Sequence, residues 1–314
     1  MVLCLGGLLL GESALTLAQY QQALQDPGSP PGEVIWTIRA PRVLMAALIG
    51  GSLGLAGATL QGLLRNPLAD PGVLGVSAFA GLGAAASIVL GLASIVGAVE
   101  LGALAGAGLA GTLVLGLSAR FKEPEALILL GVSLSSLGGA LTALIFNFSP
   151  SPIATAEVMN WLLGSVENRD FGDILRALGP VLLGAGLCFW SARGLTMLTL
   201  GEETAALSGL PMDRLRMAAV AGTALVTGAA VAAAGVVGFV GLAAPHLVRR
   251  MVGDEPGRVL APSALAGALL LVGSDLLARM LQTEQELKLG VVTALFGAPL
   301  FALVAWRAAR SWRG

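Results

Sequence analysis

Long apolar runs separated by short polar breaks fill the chain from end to end. A helix needs about 20 apolar residues to cross a bilayer. The runs at 43–64, 73–92, 96–117, 126–148, 174–192, 259–278 and 289–306 are about that long. Residues 1–11 are apolar but short. They read either as a first span with a clipped start or as part of a signal-like segment. Residues 12–38 are polar, first Gln-rich and then broken by Pro27, Pro30 and Pro31, which predicts an external loop. Pro67 and Pro71 end the second span, and residues 149–173 mix prolines with an amphipathic piece near 158–163.

Residues 217–248 carry no charge over 32 positions. As one helix this stretch would be about 48 Å long, more than one span and less than two. Gly235-Val-Val-Gly238 interrupts it, and charge arbitrates, because cytoplasmic loops collect Lys and Arg. Read as a hairpin of two short spans, the chain puts twelve basic residues inside and six outside. Read as one span, the counts become eight and ten. The hairpin prevails. The pattern predicts an all-α polytopic membrane protein with about ten transmembrane helices in a single domain, 1–314. Both ends lie inside, Arg39, Arg42 and Arg279 gather outside, and residues 200–216 face the cytoplasm.

That last stretch is a compact polar block between apolar regions. Gly201 frees the chain to turn, and residues 202–207 suit a short helix with Glu202 and Glu203 in its first turn, where the helix dipole favours acids. Ser208-Gly209 suits a helix end and Leu210-Pro211 the start of another, with Arg214 and Arg216 at the mouth of the next span. The block reads as two short surface helices joined by a tight turn, or as an ordinary loop.

Composition narrows the chemistry. The chain is 56% hydrophobic and 12% charged, with mean hydropathy +0.85 and net charge −1, which makes no case for nucleic acid. Cys4 and Cys188 sit in apolar runs and read as small membrane residues, and His246 stands alone as a packing group. The 44 glycines suit close helix contacts, as in Gly50-xxx-Gly54 and Gly102-xxx-Gly106. The only lysines, Lys122 and Lys288, follow no glycine-rich phosphate loop, so ATP-driven work would need a second chain.

Several ordered stretches carry a resemblance. They are Arg39-Ala-Pro-Arg42, Gln61-Gly-Leu-Leu-Arg-Asn-Pro-Leu-Ala-Asp-Pro-Gly-Val-Leu-Gly-Val-Ser77 and Leu200-Gly-Glu-Glu-Thr-Ala. Gly238-Phe-Val-Gly-Leu-Ala-Ala-Pro-His246 and Gly290-Val-Val-Thr-Ala-Leu-Phe-Gly-Ala-Pro299 complete the set. Across about residues 34–310 the chain resembles the FecCD-type permeases of ABC importers for iron chelates, haem and cobalamin. The resemblance implies the type II ABC importer permease architecture in the cytoplasmic (inner) membrane, in contact with lipid. It implies a homodimer with the pathway on its two-fold axis, two cytoplasmic ABC ATPase subunits that bind ATP and Mg, and an external substrate-binding protein. It implies no cofactor and no catalysis in this chain. Gly201, Glu202, Glu203, Ser208, Gly209, Leu210, Pro211 and Arg214 match the family's ATPase-coupling helices. Arg39, Arg42 and Arg279 match its docking arginines, although Arg279 stands four residues after Asp275 and suits a pair with it. Asn66 and Leu68 match its cytoplasmic gate, and Glu123 and Pro124 a second gate contribution. Its fifth and tenth spans line the pathway, which makes Ser133, Ser135, Ser136, Thr142 and Asn147 candidate lining groups. Interhelical bonding explains these five equally well. Lys288 stands where the family often has proline.

The expected cargo is an iron chelate, foremost an iron-siderophore, with haem or cobalamin as the alternative. An ion-coupled secondary transporter is a separate class. It needs intramembrane ion-coordinating groups, and here the clearest deep acid, Asp275, has Arg279 to neutralise it. A membrane enzyme fits least, since the spans hold no paired acids, Cys/His cluster or nucleophile–base arrangement.

Overall fold

Inside a bilayer the backbone must bond to itself, and uncharged runs of this length therefore fold as helices. The computed structural model describes residues 2–11, 15–118, 124–149, 151–281 and 287–311, and every regular element among them is helical. Val2–Leu9 forms α1. Leu17–Gln25 (α2) and Pro30–Glu33 (α3) give helical structure to the expected external loop. A capping box starts α2: Gln19 N–H donates to Thr16 Oγ1, and Thr16 N–H donates to Gln19 Oε1. A π-helical turn, Val34–Arg39, leads straight into α4, Ala40–Leu63. After the proline-broken loop a 3₁₀ turn, Pro71–Leu74, opens α5, Val76–Val89. Then come α6 (Ala98–Ser118), α7 (Pro124–Asn147), α8 (Pro152–Leu162) and α9 (Phe171–Leu198). The polar block supplies α10 (Glu202–Leu207), followed by α11 (Met212–Ala234) and α12 (Val240–Val252). Last are α13 (Pro256–Met280) and α14 (Leu289–Ser311).

Among the described residues, six helices are long and apolar enough to cross a membrane. Three of the other four expected spans are shorter: α1 has 8 residues, α5 has 14 and α12 has 13. The fourth, α14, has 23 residues, of which Leu289–Pro299 form its described apolar stretch. The hairpin reading of 217–248 agrees with the fold. The chain leaves Ala234 through irregular backbone at 235–239 and starts α12 at Val240. Both α11 and α13 begin beside the end of α9, because Leu215 lies against Gly194 and Gly257 N–H donates to Thr196 Oγ1 at 3.1 Å. The intervening chain therefore leaves that end and returns to it.

The α4 helix is the centre of the bundle. About 78% of its apolar window is buried, as is that of α11, against 22% for α7 and α9. It packs on α13, α12, α11 and α9. The glycine spacing explains how closely. A Cβ on Gly50, Gly54 or Gly57 would overlap the backbone carbonyl of Gly267, Ser263 or Gly241, respectively. Gly102 and Gly106 let α6 approach the backbone of α5 at Gly83 and Phe79 in the same way. Both motifs are packing seams.

Candidate functional site

The two ends of α4 separate the candidate sites. At 24 residues the helix is about 36 Å long, close to the thickness of a bilayer core. At its C-terminal end lies the polar turn. Gly201 (φ +98) and Gly209 (φ +83) occupy backbone conformations that side chains disfavour, so glycine is required at both hinges. Between them α10 turns one face inward: Ala205 is fully buried, and Leu210 and Leu215 fill the space left open at Gly194 of α9. Glu203, Leu207, Ser208, Gly209, Pro211 and Arg214 are exposed on the other side, Leu207 at 88%. Glu202 is different. Its Oε2 accepts from Arg216 Nη2 at 2.8 Å, and Arg216 is only 9% exposed. The expected second short helix is not separate. From Met212 the chain runs to Ala234 as one helix, since nothing between them breaks it.

The proline-broken loop after α4 is held from several sides. Arg65 takes a positive φ of 47°, Asn66 Oδ1 accepts from Leu68 N–H at 2.9 Å, and Leu68 is partly exposed. Gln61 Nε2 donates to the Ala69 carbonyl at 3.2 Å, and Asn66 N–H donates back to the Gln61 carbonyl. Burial pushes the Asp70 carboxyl up in pKa, while the Gly72 N–H bonded to it pulls the other way. Ser135 of α7 donates to the Gly72 carbonyl at 3.3 Å, and Gly241 of α12 lies against Pro71. Protein therefore covers the broken backbone. Pro124 opens α7, and Glu123 lies outside the described residues.

On α7, Ser133, Ser136, Thr142 and Asn147 each donate to a carbonyl four residues back in their own helix. Thr142 is buried, whereas Ser133, Ser136 and Asn147 are exposed. None of the five candidate lining groups borders the open groove beside the α11–α12 break. That open groove, about 650 Å³, is formed by Leu162 and Leu163 at the end of α8, Val236, Gly238 and Phe239 in the α11–α12 break, and the start of α14. Its side-chain lining is wholly apolar. Backbone bonds knit its rim: Ser165 N–H to Ala234, Leu289 N–H to Gly164 and Gly290 N–H to Leu163. Lys288 reaches Glu167 at 3.6 Å across the same rim. Phe239 holds a left-handed backbone (φ +67) with its ring against Gly297.

At the opposite end of α4 the three arginines come together. Asp275 is fully buried and pairs with two of them: Oδ1 with Arg42 Nη2 at 2.8 Å and Oδ2 with Arg279 Nη2 at 2.8 Å. Arg279 also donates to the Gly7 carbonyl, and Arg39 to those of Leu8 and Leu9, so both cap the C-terminal end of α1. Arg39 and Arg279 are 4% and 5% exposed. The Asp275–Arg279 pairing weighed from their spacing is present. Among the described residues no group of three His, Cys, Asp or Glu side chains is close enough to hold a metal ion.

The sequence places Arg216 at the mouth of a span and Gln61 in a matching stretch, but gives neither a role. Arg216 stood two positions from Arg214, about 200° around the helix, so the two face opposite ways. The Gln61 bond joins residues eight apart across a broken loop, which helical periodicity does not reveal.

Comparison with known proteins gives one consistent answer. The model of the FecCD transport family matches residues 1–307. An uncharacterized ABC transporter permease protein of Bacillus subtilis, YvrB, is 40% identical over 89% of this chain and 80% of its own. The vitamin B12 import system permease protein BtuC of Shigella flexneri is 40% identical over 98% of this chain and 95% of its own. A solved structure described as an inward-facing ABC transporter of metal-chelate type superposes with a TM-score of 0.87, at 30% identity, over 98% of this chain and 96% of that one.

Proposed function

The chain belongs to the FecCD transport family as an ABC importer permease, and we propose that it carries a bulky metal chelate through the cytoplasmic (inner) membrane. The groove of about 650 Å³ carries this reading. An apolar wall lets a large polar cargo pass without holding it. Pockets for drug-sized ligands run to about 1000 Å³, and a symmetric second copy facing the groove would double the space. The exposed apolar residues Leu295 and Phe296 of α14 suit such a homodimer. Among chelates we place cobalamin first, because relatives at 40% identity carry that cargo in their names. An iron-siderophore is the second reading, in keeping with the metal-chelate type of the solved relative.

In this assembly two ATPase subunits with ATP and Mg seat on the exposed side of α10, and an external binding protein docks at the far end. The loop holding Asn66 and Leu68 closes the cytoplasmic mouth. Docking falls chiefly on Arg42, which is paired with Asp275 but has 11% of its side chain exposed, whereas Arg39 and Arg279 are more deeply buried and cap α1. The test is uptake by proteoliposomes holding the chain, its ATPase and its binding protein. Cobalamin, an iron-siderophore and haem are offered in turn. Accumulation of cobalamin supports the first reading and accumulation of an iron-siderophore the second. Haem uptake alone contradicts both.

A further inference from the structure

The turn element at α10 is too short to hold itself in place. Six residues form fewer than two helical turns, and an isolated helix of that length does not persist. Glycines with positive φ flank it at 201 and 209, so its two links to the bundle are conformationally permissive. Two attachments resist swivelling. One is apolar, with Leu210 and Leu215 against Gly194. The other is the 2.8 Å bond from Arg216 to Glu202, which joins the first residue of α10 to the second turn of α11. The Arg216 side chain is 11% exposed and the Glu202 side chain 32%.

We infer that Glu202 and Arg216 are positioning residues, a strut that fixes the turn to the span behind it, and that Glu202 makes no contact with the ATPase. This deepens the reading of the turn as the coupling element and rests on it. The exposed surface takes the push at Leu207 and Arg214. The strut passes it to α11, which runs unbroken for 23 residues to the edge of the groove at Ala234. The turn and span then move as one rigid body. Without Glu202 the guanidinium loses its charge-assisted partner and the turn can swivel on its glycines.

The experiment compares Glu202→Arg, Arg216→Glu, the double exchange and Glu202→Gln with wild type, in proteoliposomes containing the ATPase and binding protein. Two quantities are read: ATPase co-purified per permease, and chelate transported per ATP hydrolysed. Each single variant keeps its ATPase and loses about tenfold in transport per ATP, and the double exchange returns to within about threefold of wild type. Wild-type coupling in the single variants, Glu202→Gln included, overturns the strut. So does a double exchange no better than either reversal alone. Loss of ATPase binding in Glu202→Arg but not in Arg216→Glu also overturns it, making Glu202 a partner contact. A wild-type chain that assembles with the ATPase but shows no coupled transport overturns the coupling reading itself.

Discussion

Replacing Asp275 with asparagine removes the carboxylate charge that two buried guanidiniums share. The carboxylate is fully buried and holds Arg42 and Arg279 at 2.8 Å each. Asparagine keeps the shape and one acceptor, but it turns an amide towards one arginine and leaves both positive charges uncompensated by it. Breaking a buried pair in this way costs about 3–5 kcal/mol. At about 2.1 cal/mol/K per residue, 314 residues unfold with an entropy near 0.7 kcal/mol/K, so a loss of ~4 kcal/mol lowers the midpoint by about 6 °C. The fully buried Cys188 supplies the assay. In a background with Cys4 replaced by serine, a fluorescent maleimide labels it only as the bundle opens, and the labelling midpoint reports stability. The pair Arg258–Glu255, 73% and 42% exposed, is the control, and Arg258→Ala shifts the midpoint by about 1 °C or less. An Asp275→Asn shift no larger than the control's refutes the claim that the buried cluster holds this end of the bundle together.

Other consequences can be checked separately. Gly57→Ala places a Cβ onto the Gly241 carbonyl and costs at least ~1–3 kcal/mol by the same labelling assay; an unchanged midpoint contradicts the close α4–α12 packing. Arg42→Glu sets a second carboxylate against buried Asp275, so it lowers the labelling midpoint as well as weakening binding-protein docking in a pull-down. Arg39→Glu lowers the midpoint and leaves docking by the folded fraction intact; equal docking by the folded fractions of the two contradicts the division of roles. Gly209→Ala strains a position at φ +83 by about 1 kcal/mol and lowers transport per ATP, and normal coupling refutes the tight-turn requirement. Burial raises the Asp70 carboxyl above its unfolded pKa of about 3.9, so its contribution to stability falls as pH rises through the folded value. Asp70→Asn keeps the acceptor for Gly72 and is at least as stable as wild type at pH 7; a lower midpoint reverses the sign.

Much of this fold was legible because bilayer crossing is a one-dimensional demand on length and charge. The runs at 126–148 and 259–278 lie close to α7 and α13. The hairpin at 217–248 came from counting arginines and lysines, and the Gly235 break is where α11 ends. Glycine spacing at 50 and 54 pointed to a helix seam without naming the partner, because what α4 meets is set by chain reversal. The arginines were harder. Arg39, Arg42 and Arg279 look alike in sequence, yet two are consumed capping α1, and only three-dimensional placement shows which. On α7 the polar side chains suit a pathway wall or hydrogen bonding, and the sequence does not show that Ser133 and Ser136 bond to their own helix.

The most direct test of the account is what drives uptake. Proteoliposomes with the permease, ATPase and binding protein are given labelled cobalamin outside, with ATP either enclosed or absent, and with ion gradients imposed or collapsed. The account predicts accumulation that requires enclosed ATP and ignores the gradients. Accumulation that follows an ion gradient and ignores ATP would contradict it.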